Sequence, residues 1–267
     1  MTHFLQFAYH SPRRQRPRLG LSLLELLVVL TILIALGGIV VSTLPGVLNR
    51  TQAATASANV PEIDSTVRRN AMLNQGHIGD QFDSLVSGTA SIDGSLPAYL
   101  GGAEIFETAS LSPQEVEALS RIGITQLVPA SSETDNATYG SHTQLPVPVS
   151  DNSRVCILNP DMAVTLLPTD WNFDAVAEAK YMIVGLGEQS TLVGGGPQAA
   201  FPEAPVHFSD SRDENPGSMY SRYLIVIELR PTASQNAVAR YVATAIPGRE
   251  GIHRVSKELR DYYSQTN

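Results

Sequence analysis

The sequence predicts an α+β fold: a long N-terminal helix, membrane-spanning in its first half and amphipathic in its second, packed on a globular head with a mainly antiparallel sheet. Three observations predict it. From Leu21 to Leu44 only Ser22, Glu25, Thr31, Ser42 and Thr43 are polar. Further on, Val60, Ile63, Val67 and Ala71 recur three or four apart, with Arg68 and Arg69 on another face. Beyond residue 75, short apolar runs rich in β-formers are separated by Gly, Pro, Ser and Asn clusters. An antiparallel sheet laid against the long helix is the economical arrangement.

The N-terminal segment is justified first. Arg13, Arg14, Arg16 and Arg18 precede the apolar run. Its 24 residues, at about 1.5 Å each, make a rod of about 36 Å, enough for a bilayer core of roughly 30 Å. The arginines predict a cytoplasmic N-terminus with the bulk of the chain on the far side. Glu25 is the difficult residue, because a carboxylate in a membrane segment costs roughly 2.5–3.5 kcal/mol and usually has a partner. A secretory signal peptide has an apolar core of only about 7–15 residues, shorter than this one. An uncleaved signal anchor, in which Glu25 is incidental, is the other competing reading.

Pro45-Gly46 predicts a break or kink, and Gly37-Gly38 a second weak point. Pro61 predicts a kink or the first turn of a fresh helix. The rod is expected to reach about Asn74 and to stop at Gly76. In the head, Ser112-Pro113-Gln114-Glu115 is a capping box with proline at the first helical position, so a helix is predicted from Pro113 to Arg121, ending at Gly123. Strands are predicted at Ile124–Val128, Val155–Leu158, Tyr181–Leu186, Tyr223–Leu229 and Ala237–Ile246, with residues 223–227 central because they are too apolar for an edge. Residues 129–153 and 194–205 read as surface excursions, and Ser256 as the cap of a last helix, Lys257–Tyr263.

A short basic leader, then Gly20, then a hydrophobic helix with Glu25 five residues after that glycine resembles the type IV pilin superfamily, which includes the pseudopilins of type II secretion. The resemblance covers about the first fifty residues. It implies a leader at 1–20, a transmembrane and polymerisation helix at 21–44, its amphipathic continuation at 45–75 and a globular periplasmic head at 76–267. It also implies cleavage by a prepilin peptidase between Gly20 and Leu21, with N-methylation of the new amine on Leu21. Leu21 departs from the Phe or Met usual at that position. Glu25 matches the family glutamate that meets the N-terminal amine of a neighbouring subunit. Opposite charges about 4 Å apart attract by roughly 4 kcal/mol at an effective dielectric near 20, which offsets much of the desolvation. Such a pair would also fix the stagger between subunits. The implied partners are further copies and other pilin-like subunits, the peptidase, an inner-membrane assembly platform and membrane lipid. The implied location is a bacterial inner membrane, single-pass, with the head periplasmic, and a filament after assembly.

Composition narrows the function. The chain has 267 residues, and without the leader it carries 14 basic against 26 acidic groups, a balance of −12. Nucleic acid is therefore not an expected partner. Cys156, the single cysteine, excludes an intramolecular disulfide and sits in an apolar run that suits burial.

Catalytic patterns are weak. Gly185-Leu186-Gly187 begins like a dinucleotide fingerprint but lacks the third glycine and a following helix, and a hairpin turn reads better. Ser150-Asp151-Asn152 has no companion Ser-x-x-Lys. His77, His142, His207 and His253 are scattered without zinc spacing and read as surface or loop residues. No cofactor and no enzyme activity are expected. Asp210, Asp213 and Glu214 in one turn-rich loop are minor candidates for calcium, though Arg212 interrupts them and the EF-hand spacing is absent. The leading expectation is a structural subunit of a pilus-like filament serving secretion or attachment. A membrane-anchored periplasmic binding or adhesion module that does not polymerise is second, and an anchored enzyme last.

Overall fold

A computed structural model describes residues 22–87, 106–130, 142–158, 179–207, 220–231, 237–248 and 251–253, with the side chains of 39, 41–50, 53, 87, 231, 247, 248 and 251–253 excepted. The chain falls into two compact units, Met1–Gly46 and Val47–Asn267. Helix α1 has the bounds Leu23–Leu73.

Within the second unit, α1 buries one stripe. Ala56, Val60, Ile63 and Val67 lie in the main core with Phe82, Leu127, Met182, Val184, Ile225 and Ile227, as the i, i+3, i+4 spacing requires. Pro61 stands inside the helix and opens no fresh one. Polar ties supplement the packing. Tyr223 Oη donates to the carbonyl of Ala56 at 3.2 Å, Tyr241 Oη to Asp64 Oδ1 at 2.5 Å, and Arg68 Nη2 to the carbonyl of Val242 at 2.7 Å. The helix ends at Leu73 in a left-handed turn at Gln75 (φ 58°) followed by Gly76 (φ 94°). Gly76 N donates to the carbonyl of Ala71 at 2.7 Å, the six-to-one bond of a Schellman cap.

Nine strands follow: β1 Phe82–Ser87, β2 Phe106–Ser110, β3 Gln126–Ala130, β4 Val147–Pro148, β5 Arg154–Leu158, β6 Lys180–Gly185, β7 Leu224–Pro231, β8 Ala237–Gly248 and β9 Gly251–His253. Helix α2, Pro113–Arg121, lies between β2 and β3. The main path runs β4-β3-β1-β6-β7-β8-β9, and β2 joins through β5, which also pairs with β6. One long side of β6 is thus shared. Cys156 and Ile157 of β5 pair with Ile183 and Met182, while Asp83 and Ser84 of β1 pair with Gly185 and Val184. Strands β1 and β3 are parallel, and the other ladders are antiparallel.

The central strands are buried on both faces. Met182, Val184, Ile225, Ile227 and Leu229 face the core that holds α1. Tyr181, Ile183, Leu224 and Val226 join a second cluster with Leu85, Phe106, Cys156 and Leu158. That is why 223–227 reads as an unbroken apolar run. In β8 the register to β7 shifts between Val226, opposite Ala243, and Ile227, opposite Tyr241. Val242 is the extra residue of a bulge, and its carbonyl, outside the ladder, is the one Arg68 satisfies.

Helix α2 has the predicted bounds and a capping box. Ser112 N donates to Glu115 Oε2 at 2.8 Å and Glu115 N to Ser112 Oγ at 3.3 Å. Lys180 Nζ adds an ion pair to Glu115 Oε1 at 2.8 Å. Asp80 ties three segments together: Oδ1 accepts from the amides of Gln81, Thr125 and Gln126, each at 2.9 Å, and its own amide donates to Thr191 Oγ1 at 2.8 Å.

The predicted architecture needs correction in three respects. Among the described residues no helix is long and apolar enough to cross a membrane. The single-pass transmembrane helix is therefore set aside, and with it the inner-membrane location with a cytoplasmic N-terminus and periplasmic head. Next, what packs on the sheet is not the long N-terminal helix as a whole but about four turns of α1, Ala56 to Asn70. Finally, the fold is strand-rich and its sheet mixed, because β1 enters parallel to β3. The segment after Gly185 is a turn but closes no tight hairpin, since β6 pairs next with β7, whose first residue is Leu224. Helix 257–263 lies outside the described residues.

Candidate functional site

Among the described residues, the first unit carries the largest apolar exposure. Ser22 precedes α1 and accepts at Oγ from Glu25 N at 3.2 Å, while Ser22 N donates to Glu25 Oε2 at 2.9 Å. This reciprocal pair is a second capping box, and it places a carboxylate at the positive end of the helix. Thr31 Oγ1 folds back onto the carbonyl of Leu27 at 2.8 Å, which hides its polarity.

From Leu23 to Val40 twelve large apolar side chains are exposed, the least of them Val28 at 46%. They occupy every face of the helix rather than one stripe, and a Cβ on Gly37 or Gly38 would meet nothing within 4 Å. Ordinary soluble surfaces rarely expose patches of this continuity. A helix whose apolar side chains face water gains little tertiary stabilisation, and isolated helices are marginal. Burying half of twelve such side chains would release on the order of 10–20 kcal/mol before association costs.

Of the residues predicted to act, Glu25 is exposed on this segment and bonded to Ser22. Gly20 and Leu21 lie outside the described residues, as do the calcium candidates Asp210, Asp213 and Glu214. Among the described residues no group of three or more His, Cys, Asp or Glu could hold a metal ion.

A shallow pocket of about 130 Å³ lies on the second unit, lined by Thr51, Gln52, Thr55, Asn59 and Ala56 of α1 with Val206 and His207. The His207 ring stands edge-on to Tyr223 at 6.0 Å. Burial pushes the Tyr223 hydroxyl up to about 12, so it remains a hydrogen-bond donor at neutral pH.

One buried cluster escaped the sequence reading. Asp83 on β1 is fully buried and accepts from Tyr220 Oη at 2.6 Å through Oδ2. Burial pushes its carboxyl up to about 6 against the opposing pull of His142, Tyr220 and Arg222. Arg222 is itself buried; it donates to Glu188 Oε1 at 2.7 Å and to the carbonyl of Ala204. His142, read from sequence as a surface or loop residue, is buried against Tyr220 with ring centroids 5.5 Å apart. Cys156 is buried, and burial raises its thiol far above the usual range.

Comparison with protein-family models, with curated proteins and with solved structures found no match.

Proposed function

We propose that the chain is a structural subunit of a pilus-like filament, cut by a prepilin peptidase between Gly20 and Leu21 and assembled through the helix that starts at Leu23. The single observation behind this reading is the apolar surface from Leu23 to Val40, exposed on all sides of the helix. One partner helix covers one stripe, whereas a surface apolar all round calls for several neighbours, as in a helical bundle of copies. The basic stretch before Gly20 and the carboxylate at Glu25 add the processing and register features of the resemblance.

Glu25 then has two separable roles. In one chain it caps α1 through Ser22 N. Between chains its charge would meet the amine of a neighbouring Leu21. Glu25→Gln keeps an acceptor for the cap and removes the charge. If the charge sets register, the variant is cleaved normally but absent from sheared filaments; filament yield equal to the parent would leave Glu25 as a cap alone. The processing step is tested by intact-mass measurement of the native product, which should begin at a methylated Leu21. A product that retains residues 1–20 would refute the filament reading.

A binding module that does not polymerise is the second reading. The pocket of Thr51, Gln52, Thr55 and Asn59 with Val206 and His207 favours it. Its signature would be a processed chain found only outside the filament fraction. The proposal assigns no catalytic role.

A further inference from the structure

The Asp83 cluster gathers segments far apart in the chain at one buried point. Asp83 comes from β1, opposite Val128 of β3 and Gly185 of β6. Tyr220 and Arg222 come from the approach to β7, His142 from the approach to β4, and Glu188 from the loop after β6. The fit is close. A Cβ on Gly185 would collide with Tyr220 Oη, and one on Gly187 with the Asp83 carboxylate, so the 186–207 loop is drawn down onto that side chain. Asp83 Oδ1 has no hydrogen-bond partner among the described residues.

The loop's remaining anchors lead back to the same place. Leu186 N donates to the carbonyl of Tyr223 at 2.8 Å. Arg222 bridges two points of this segment, from Glu188 to the carbonyl of Ala204. Gln189 Nε2 reaches the carbonyls of His142 and Gln144 at 2.9 and 2.8 Å. Nothing in this chemistry engages the N-terminal apolar helix, so the inference is independent of the filament reading.

We propose that Asp83 and the groups converging on it form a proton-operated latch that holds the 186–207 loop to the sheet, tight in mild acid and looser toward neutrality. An ionised carboxylate needs several donors; this one has Tyr220 Oη at Oδ2 and the backbone of His142, and the compensating charge of Arg222 is balanced in turn by Glu188. A neutral carboxyl fits the site at lower cost. The sign follows from linkage. The folded-state value, about 6, lies above the ordinary 3.8. The stabilisation is therefore complete below pH 4 and lost as pH rises to about 6 and beyond, weakening the closed state on the order of 100-fold.

The test is amide hydrogen exchange of the full-length protein at Leu186, Ser190 and Val193, corrected for intrinsic rates, from pH 4 to 7.5. Protection should fall across the range centred between 4 and 6. Asp83→Asn, which keeps the shape and cannot ionise, should abolish the fall. Tyr220→Phe removes a donor that favours the ionised form and should move the fall to higher pH. Flat protection in the parent, or an unchanged fall in Asp83→Asn, would overturn the latch. Should Asp83→Asn fail to fold, an unmoved midpoint in Tyr220→Phe overturns it equally.

Discussion

Two stretches of one helix behave in opposite ways. Leu23–Val40 carries exposed apolar side chains on every side, interrupted by Glu25 and Thr31, whereas Ala56–Asn70 is more polar overall yet buries a stripe in the main core. Apolar content alone does not decide what is buried within a chain. The spacing does: Ala56, Val60, Ile63 and Val67 give a face that one sheet can cover, and Leu23–Val40 gives a cylinder that one sheet cannot. The second stretch serves folding, and the association proposed above rests on the first.

Paired substitutions can break or sharpen that contrast. Ile63→Ala should cost about 2–4 kcal/mol in urea unfolding, through lost transfer energy and a cavity. Ile32→Ala, equal in chemistry, should change the unfolding of the sheet by less than about 0.5 kcal/mol and show only in filament yield. Comparable losses at the two sites would end the division of labour. Arg68→Ala leaves the bulge carbonyl of Val242 without its donor and strips a cation from the face of Tyr241, 4.9 Å away. A loss of about 1–3 kcal/mol is expected, with Arg68→Lys restoring part of it. The capping boxes provide the next comparison. Ser112→Ala should destabilise the second unit by about 1 kcal/mol. Ser22→Ala should fray the start of α1, seen as faster amide exchange at Leu24 and Glu25, with no shift in the melting of the sheet. A gain is expected at Gln75, whose left-handed backbone favours glycine. Gln75→Gly should stabilise by about 0.5–1 kcal/mol, measurable as a rise of a few degrees or less in Tm.

Legibility in the sequence followed the range of the interaction. Helix α2 was readable to its ends because Ser112, Pro113, Glu115 and Gly123 are local signals. The centrality of β7 was readable because burial on both faces leaves an unbroken apolar run. The Ser22–Glu25 box was equally local, but the carboxylate invites a reading as an intramembrane charge and the serine three residues earlier is easily passed over. Strand β1 was not legible. Asp83, Ser84 and Ser87 give it the look of a loop, and its place comes from partners at Val128 and Val184. The Asp83–Tyr220 bond joins residues 137 apart, and no local pattern marks either of them. The bulge at Val242 was hidden for the same reason, since a shift in register belongs to two strands at once.

The shared side of β6 has a consequence for synthesis. β1 first meets a neighbour when β3 is made, and its other neighbour, β6, emerges about 100 residues after it. At translation rates of about 5–20 residues per second, that is a delay of roughly 5–20 s. Until then the nascent chain displays Phe82, Leu85 and Val86 beside unpaired backbone groups. When β6 arrives, it closes two open edges, those of β1 and β5, and leaves its own far side open until β7 is made about 40 residues later.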